Sequence, residues 1–429
     1  MIKLSNKILY ISYLFNIVLY RIMLDITYGL ILTKYFAHGI ESYSLSYTLS
    51  SWILSWIIVA IFIFPIIQIC INNKRPTNII MTVFSFVLLI PFTTMIFFNN
   101  FSLFFIILNT IFWLLLFLSH ILLGVIGIIT IKIPTKLNKL IFPVIAFILI
   151  MTVIYISGTN TQFRIITNLY DVYKIRFEEL EISKIQTYIL GFSKIILPLL
   201  LALSFNKKKY LFSLIICITL FLRFGIDGVK AIFFITFIEV ICCLFYKENY
   251  YKFIPFCFST LVLFSLLEYI IFKSYYIVDF LIRRLMFLTN KINYFYYNYF
   301  SQHEPDFYRQ SFLRYFGFSS PYKIKISNLI GQEYFNDFSY SANSGLVSEA
   351  LANWGYIGIF ILPIILALLF KIFDICCYKI QTKIYIALMI YISYILFTAF
   401  IPTALLTHGL IVLCMFFILI PKSGGIVKY

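Results

Sequence analysis

Charge is what this chain is short of. Charged residues fill 12% of its 429 positions and hydrophobic ones 62%, and the mean hydropathy is +0.97. That balance excludes a soluble globular domain, which needs far more polar surface. Histidine is scarcer still: four residues, scattered, give no clustered ligand set, so a protein-built transition-metal site is not expected; no cofactor is expected. None of the eight cysteines falls in either long polar loop, so no disulfide staples those loops. The pairs Cys242–Cys243 and Cys376–Cys377 are adjacent and lack metal-ligand spacing. Walker, GxSxG and HExxH motifs are missing. No internal repeat stands out, and so the matched halves common in secondary transporters are missing too. No small-residue cleavage site follows the first apolar run, which reads as a retained signal anchor.

What the chain does have is apolar runs of membrane length from end to end. They place spans near 8–33, 48–71, 79–98, 101–131, 140–157, 188–205, 210–224, 231–246, 253–272, 355–372, 384–400 and 404–420. The stretch 101–131 is longer than a bilayer needs, so it is tilted or projects. The expected fold class is an all-α polytopic membrane protein, a single integral membrane domain over 1–429. Net charge is +17, but position argues against a nucleic-acid partner. Half of the lysines and arginines sit in short turns, such as Lys74–Arg75, Lys207–Lys209 and Lys379–Lys383, with only Glu248 and Asp374 beside them. This is the positive-inside pattern, and with twelve spans it places both termini in the cytoplasm.

The same count puts two long loops outside, 158–187 and 273–354. Together they hold 10 of the 17 acidic residues, a segregation that fits polar chemistry on that face. Few charges lie within the spans. Arg21 and Asp25, spaced i, i+4, pair on one helix face or serve a function. Lys194 lies near the outer end of its helix and snorkels. Glu239 and Glu268 have no partner nearby in sequence. His120 and His408 read as packed, hydrogen-bonded interior residues.

The outer loops offer arginines, carboxylates and aromatics. A guanidinium fork donates two parallel hydrogen bonds to phosphate oxygens and stays charged, which suits a diphosphate leaving group. A carboxylate beside an acceptor hydroxyl serves as general base, and aromatic faces suit sugar rings. The segments carrying these groups come in a particular order: DVYKIRFEEL (171–180), TYILGFSKIILPLLLAL, RFGIDGVKAIFF (223–234), LIRRLMFLTNKINYFYYNYFSQ, SFLRYFGFSSPY, LIGQEYFN and SANSGLVSEALANWGYIG (341–358). In that order, over about Asp171 to Ala367, the chain resembles the oligosaccharide repeat-unit polymerases, the Wzy-type O-antigen and capsule polymerases. The resemblance implies a metal-independent glycosyltransferase of the GT-C class in the bacterial inner membrane. Such an enzyme moves a growing glycan from undecaprenyl diphosphate onto a new lipid-linked repeat unit at the periplasmic face. It also implies site residues. Tyr173 and Arg176 take the first-loop motif, Lys230 with Gly228 the short turn, and Arg283 and Arg284 the opening of the second loop. Asn343, Gly345 and Glu349 take its close. Arg176, Lys230 and Arg284 are expected to converge on the diphosphate, assisted by Arg283, Arg309 and Arg314. Tyr173 and Asn343 would contact substrate, with Glu349 and Arg284 catalytic. Expected partners are the lipid-linked oligosaccharide, membrane lipid and a chain-length regulator protein.

Each assignment has a plainer competitor. Arg176 fits a surface salt bridge, Arg283 and Arg284 an interfacial anchor, and Lys230 a helix cap. Residues 294–300 fit an interfacial aromatic belt, and Gly345, Gly355 and Gly358 fit turning and close packing. Glu349 fits the satisfaction of a backbone amide near a helix start. Among functions, an O-antigen ligase is the neighbouring alternative, although Ala342 stands before Asn343 where ligases tend to carry histidine. A flippase for lipid-linked oligosaccharides or another transporter, and a non-catalytic scaffold, are alternatives from other classes.

Overall fold

The computed structural model describes residues 6–37, 43, 45–71, 75–127, 135–166, 182–246, 250–337 and 340–420. Among the described residues the regular structure is helical and no strand occurs. In hydrocarbon a backbone has to satisfy its own polar groups, and a helix does so within one segment. In chain order the helices are α1 (Lys7–Tyr35), α2 (Leu49–Ile71), α3 (Thr77–Phe98), α4 (Leu103–Val125), α5 (Ile141–Asn160), α6 (Ile185–Asn206), α7 (Tyr210–Asp227), α8 (Lys230–Phe245), α9 (Tyr251–Phe272), α10 (Leu288–Phe300), α11 (Ile326–Phe335), α12 (Val347–Trp354), α13 (Gly358–Cys376), α14 (Thr382–Thr398), α15 (Ile401–Leu406) and α16 (Leu410–Leu419).

Among the described residues, nine stretches are long and apolar enough to cross a membrane: α1 to α7, α9 and the stretch Val347–Cys376. The chain is therefore a multi-pass membrane protein. The other three expected spans are also helical, but shorter. α8 has 16 residues, about 24 Å of rise against a hydrocarbon core of about 30 Å, α14 has 17, and 404–420 is broken between α15 and α16. In the described part of the stretch 101–131 the helix, α4, has an ordinary length of 23 residues.

The chain forms two compact units. The first comprises Met1–Ile126, Asn249–Lys371 and Leu396–Ile401, the second Gly127–Glu248, Ile372–Ile395 and Pro402–Tyr429.

In the first unit α3 is apolar on every side and buried along its whole length, as such a helix must be. α1 and α2 pack against it. Pro91 has no N–H and crowds the preceding turn, and just before it α3 widens into a π-helical turn over Ser85–Leu89. Two carbonyls of that turn accept from neighbouring helices: Phe86 from the Tyr20 hydroxyl at 2.6 Å, and Leu88 from Asn290 Nδ2 at 3.0 Å. Asn290 belongs to α10, so the loosened turn ties the second long loop to the core. Arg21 is fully buried. It pairs with Asp25, as their spacing predicts, and donates to Thr93 Oγ1 at 2.8 Å, Thr93 O at 3.0 Å and Ser55 Oγ at 3.2 Å. His120 is buried too, with Nε2 2.8 Å from Asn78 Oδ1.

In the second unit α6 is the hub, contacting α5, α7, α8 and α16. A capping box starts it: Ser183 Oγ accepts from the Gln186 amide while Gln186 Oε1 accepts from Ser183 N.

Gly345, also in the first unit, sits where backbone meets backbone. Its N–H donates to Phe397 O at 2.9 Å, and an added Cβ would lie 2.2 Å from Leu396 O and 2.6 Å from Ala399 O. Neither carbonyl yields as a side-chain tip does, so Gly345→Ala should cost ~1–3 kcal/mol. Gly127, with open space at its Cβ position, is the control. Heating detergent-solubilised protein and following the monodisperse fraction should show a lowered midpoint for Gly345→Ala and none for Gly127→Ala. Equal midpoints would refute the close approach.

Candidate functional site

The second long loop is built from its two ends inward. Glu268, near the end of α9, finds its partners 6 to 9 residues on: Oε1 accepts from Ser274 Oγ and Tyr276 N, both at 2.8 Å, and Oε2 from Ile277 N at 2.9 Å. A carboxylate there satisfies the amides that begin the next helix and complements its dipole. That helix is π-helical over Val278–Phe287 and continues into α10.

The wide turn separates the two arginines. Arg283 is buried, with Nε 2.9 Å from Asp279 Oδ1 and its guanidinium 4.6 Å from the centre of the Phe36 ring. Arg284 faces outward. Of residues 294–300, Tyr296 and Phe300 are buried and the other five half-buried. Phe295 stacks on Tyr334 at 4.6 Å, Tyr294 meets Phe101 at 4.6 Å, and the buried Tyr296 donates to Ala342 O at 3.1 Å.

At the other end of the loop stands Glu349, fully buried in α12. Its carboxylate accepts from the Tyr308 hydroxyl at 2.7 Å and from the Ile401 amide, 2.9 Å from Oε1 and 2.8 Å from Oε2. Ile401 begins α15, so Glu349 satisfies a helix-start amide, one belonging to a helix about fifty residues away. Burial first, and then the neighbouring carboxylate, push the Tyr308 phenol well above its ordinary range, so it stays an O–H donor. The backbone reinforces the junction: Asp306 N donates to Ala352 O at 2.7 Å and Tyr308 N to Asn353 Oδ1 at 3.0 Å. Leu346, just before α12, is held at φ +53°, a strained value for a side chain with a Cβ.

The other expected residues described in this loop bond within their own segments. Arg309 is taken up locally, donating to Glu304 Oε1 at 2.9 Å, Pro305 O at 2.9 Å and Asp306 O at 2.8 Å. Arg314 is exposed and donates to the Tyr315 hydroxyl at 2.8 Å. Asn343 is exposed, with Oδ1 3.2 Å from Ser341 Oγ. A shallow groove of about 430 Å³, lined by Ile324, Lys325, Asn328 and Gln332, contains none of the expected residues. Tyr173 and Arg176 lie outside the described residues.

Lys230 belongs to the second unit, where the structure adds residues that the sequence reading did not assign to the site. Asp227, at the end of α7, accepts from Arg223 Nη2 at 2.8 Å and from Lys194 Nζ at 3.0 Å through the same oxygen, Oδ2. Arg223 is 1% exposed, also donates to Ser193 Oγ at 3.2 Å, and keeps Nη1 buried with no hydrogen-bond partner among the described residues. Gly228 turns the chain at φ +61°, and Lys230 is then the first residue of α8. A lysine there cannot cap the orphan amides, being a donor itself, and it meets the positive end of the helix dipole, which costs about 0.3–1 kcal/mol. Two cations thus share one carboxylate, and a third follows three residues later. The Arg223–Asp227 spacing, i, i+4, is the sequence signal that would have found this group, as it found Arg21 and Asp25. Among the described residues no group of three or more His, Cys, Asp or Glu side chains is placed to hold a metal ion.

No family model, no curated protein and no solved structure matches this chain.

Removing Glu349 should leave two buried donors without an acceptor, at ~1–3 kcal/mol each. Glu349→Ala is therefore expected to lower the thermal midpoint strongly and Tyr308→Phe mildly. The double variant should fall short of the sum, because both changes break one contact. Additive losses would show that the contact is not made.

Proposed function

We propose that this protein is a membrane glycosyltransferase that polymerises oligosaccharide repeat units carried on undecaprenyl diphosphate. In this reading it has twelve spans, a GT-C arrangement, both termini in the cytoplasm and its chemistry at the periplasmic face of a bacterial inner membrane. The observation that best supports it is the second unit's excess of cations. Arg223 and Lys194 converge on one oxygen of Asp227, and the buried Nη1 of Arg223, with no hydrogen-bond partner among the described residues, suits a phosphate oxygen.

Lys194, Arg223 and Lys230 would hold the diphosphate and stabilise the charge that develops on it as the glycosidic bond breaks. Each transfer breaks the bond between the anomeric carbon and the diphosphate oxygen, forms a glycosidic bond to the acceptor oxygen and releases undecaprenyl diphosphate, with the acceptor's proton passing to solvent water. Arg284 and Asn343 are both exposed on the second loop. The Glu349 carboxyl is fully buried and accepts from Tyr308 and Ile401, so this reading gives it the task of holding the loop. The ordered series of segments resembling the repeat-unit polymerases supports the same reading. Ala342, in place of histidine before Asn343, sets it apart from the ligase reading.

The gel profile of the surface glycan tests it. Arg223→Ala and Lys194→Ala should each collapse the ladder to single repeat units on the core, with Arg223→Lys recovering part of it. A ligase defect would instead leave bare core. A full ladder at unchanged protein abundance in both alanine variants would rule the cluster out of the reaction.

A further inference from the structure

Between α10 and α11 the first unit carries a small lobe, residues 307–325, which the function above does not use. Its neck is closed by polar contacts. Asp306 is 1% exposed and accepts from Gln310 N at 2.8 Å and from Ser320 Oγ at 2.5 Å. The Gln310 side chain donates to Tyr322 O at 3.1 Å and Ile324 O at 2.6 Å, and accepts from Ile326 N at 3.1 Å. With its base fixed in this way, the lobe turns large apolar side chains outward: Phe307, Phe312 and Phe318 are exposed, Tyr315 is 73% exposed and Phe316 74%. A soluble surface does not display such a group without a partner.

Two features identify the partner. The first is charge. Arg309, Arg314, Lys323 and Lys325 fall in this segment, no acidic residue occurs from 307 to 332, and Arg314, Lys323 and Lys325 are exposed. The second is level. The root of the lobe hydrogen-bonds to Ala352 and Asn353, only five or six residues before α13 begins at Gly358, about 8 Å of helix rise. At that level the starts of α4 and α13 already form an aromatic rim, with Phe104 edge-on to Tyr356 at 5.4 Å and Ile357 exposed. Aromatic and basic side chains together at a span's end are what a headgroup layer accepts: rings at the interface, cations on phosphates.

We infer that the lobe is a membrane-surface anchor that dips Tyr315 and Phe316 into the headgroup layer and sets Arg314, Lys323 and Lys325 on anionic phospholipid. This does not depend on the proposed reaction. Full-length protein carrying the photocrosslinker p-benzoylphenylalanine at position 316 is reconstituted in nanodiscs, of phosphatidylglycerol or of phosphatidylcholine, and adducts are identified by mass spectrometry after irradiation. Position 333, exposed on α11 outside the lobe, is the control. The inference expects phospholipid adducts at 316 well above those at 333, with a higher yield in phosphatidylglycerol. Combining Arg314→Glu, Lys323→Glu and Lys325→Glu should cut that yield about fivefold or more, as expected when several near-surface charges are reversed. Size-exclusion profiles would confirm that the reversed variant folds. Adducts at 316 no more frequent than at 333, crosslinks to a protein in intact cells, or a phosphatidylglycerol yield insensitive to charge reversal would each overturn it.

Discussion

One buried carboxylate organises the loop. Glu349 joins Tyr308, 41 residues before it, and Ile401, 52 residues after it. Both are O–H or N–H donors that would be costly to bury unsatisfied. A carboxyl group buried in that position is tolerable only because both of its oxygens accept hydrogen bonds. The consequence is that the root of the lobe, α12 and the first turn of α15 hold one arrangement or lose it together. The strain at Leu346 and the backbone-on-backbone contact at Gly345 are held in place by the same junction.

The cations divide into two kinds by the same accounting. Arg21, Arg283 and Arg309 each have a carboxylate of their own, four or five residues away, and each is spent on holding its segment. Arg223 shares Asp227 with Lys194, and Lys230 stands at a helix start that disfavours it. Ionisable groups gathered in this way within membrane-spanning segments are candidates for function rather than for holding one segment. That contrast is why the functional reading rests on the second unit's cluster rather than on the arginines of the long loop.

The helices were legible in the sequence because hydrophobic run length is a local property, and every expected span is helical. Their lengths were less so: the break between α15 and α16 falls at Thr407-His408-Gly409, a helix-stop signal that the apolar run around it conceals, with Gly409 at φ +77°. Pairs at i, i+4 were also legible, as Arg21–Asp25 shows and as Arg223–Asp227 would have. Contacts made through tertiary folding were not. Glu268 looked partnerless because its acceptor role is to amides across a turn. The partners of the aromatic run at 294–300, such as Phe101 for Tyr294 and Tyr334 for Phe295, were not legible either. Glu349 was picked out as a carboxylate, but Tyr308 could not be, since 41 residues of sequence separate the two.

The most direct measurement of the central claim is made on purified protein in nanodiscs supplied with one synthetic lipid-linked repeat unit. The account predicts stepwise lengthening of the lipid-linked glycan, with one undecaprenyl diphosphate released per unit added. Folded protein that yields no longer product, or that only moves the intact lipid-linked unit across the bilayer, would contradict it.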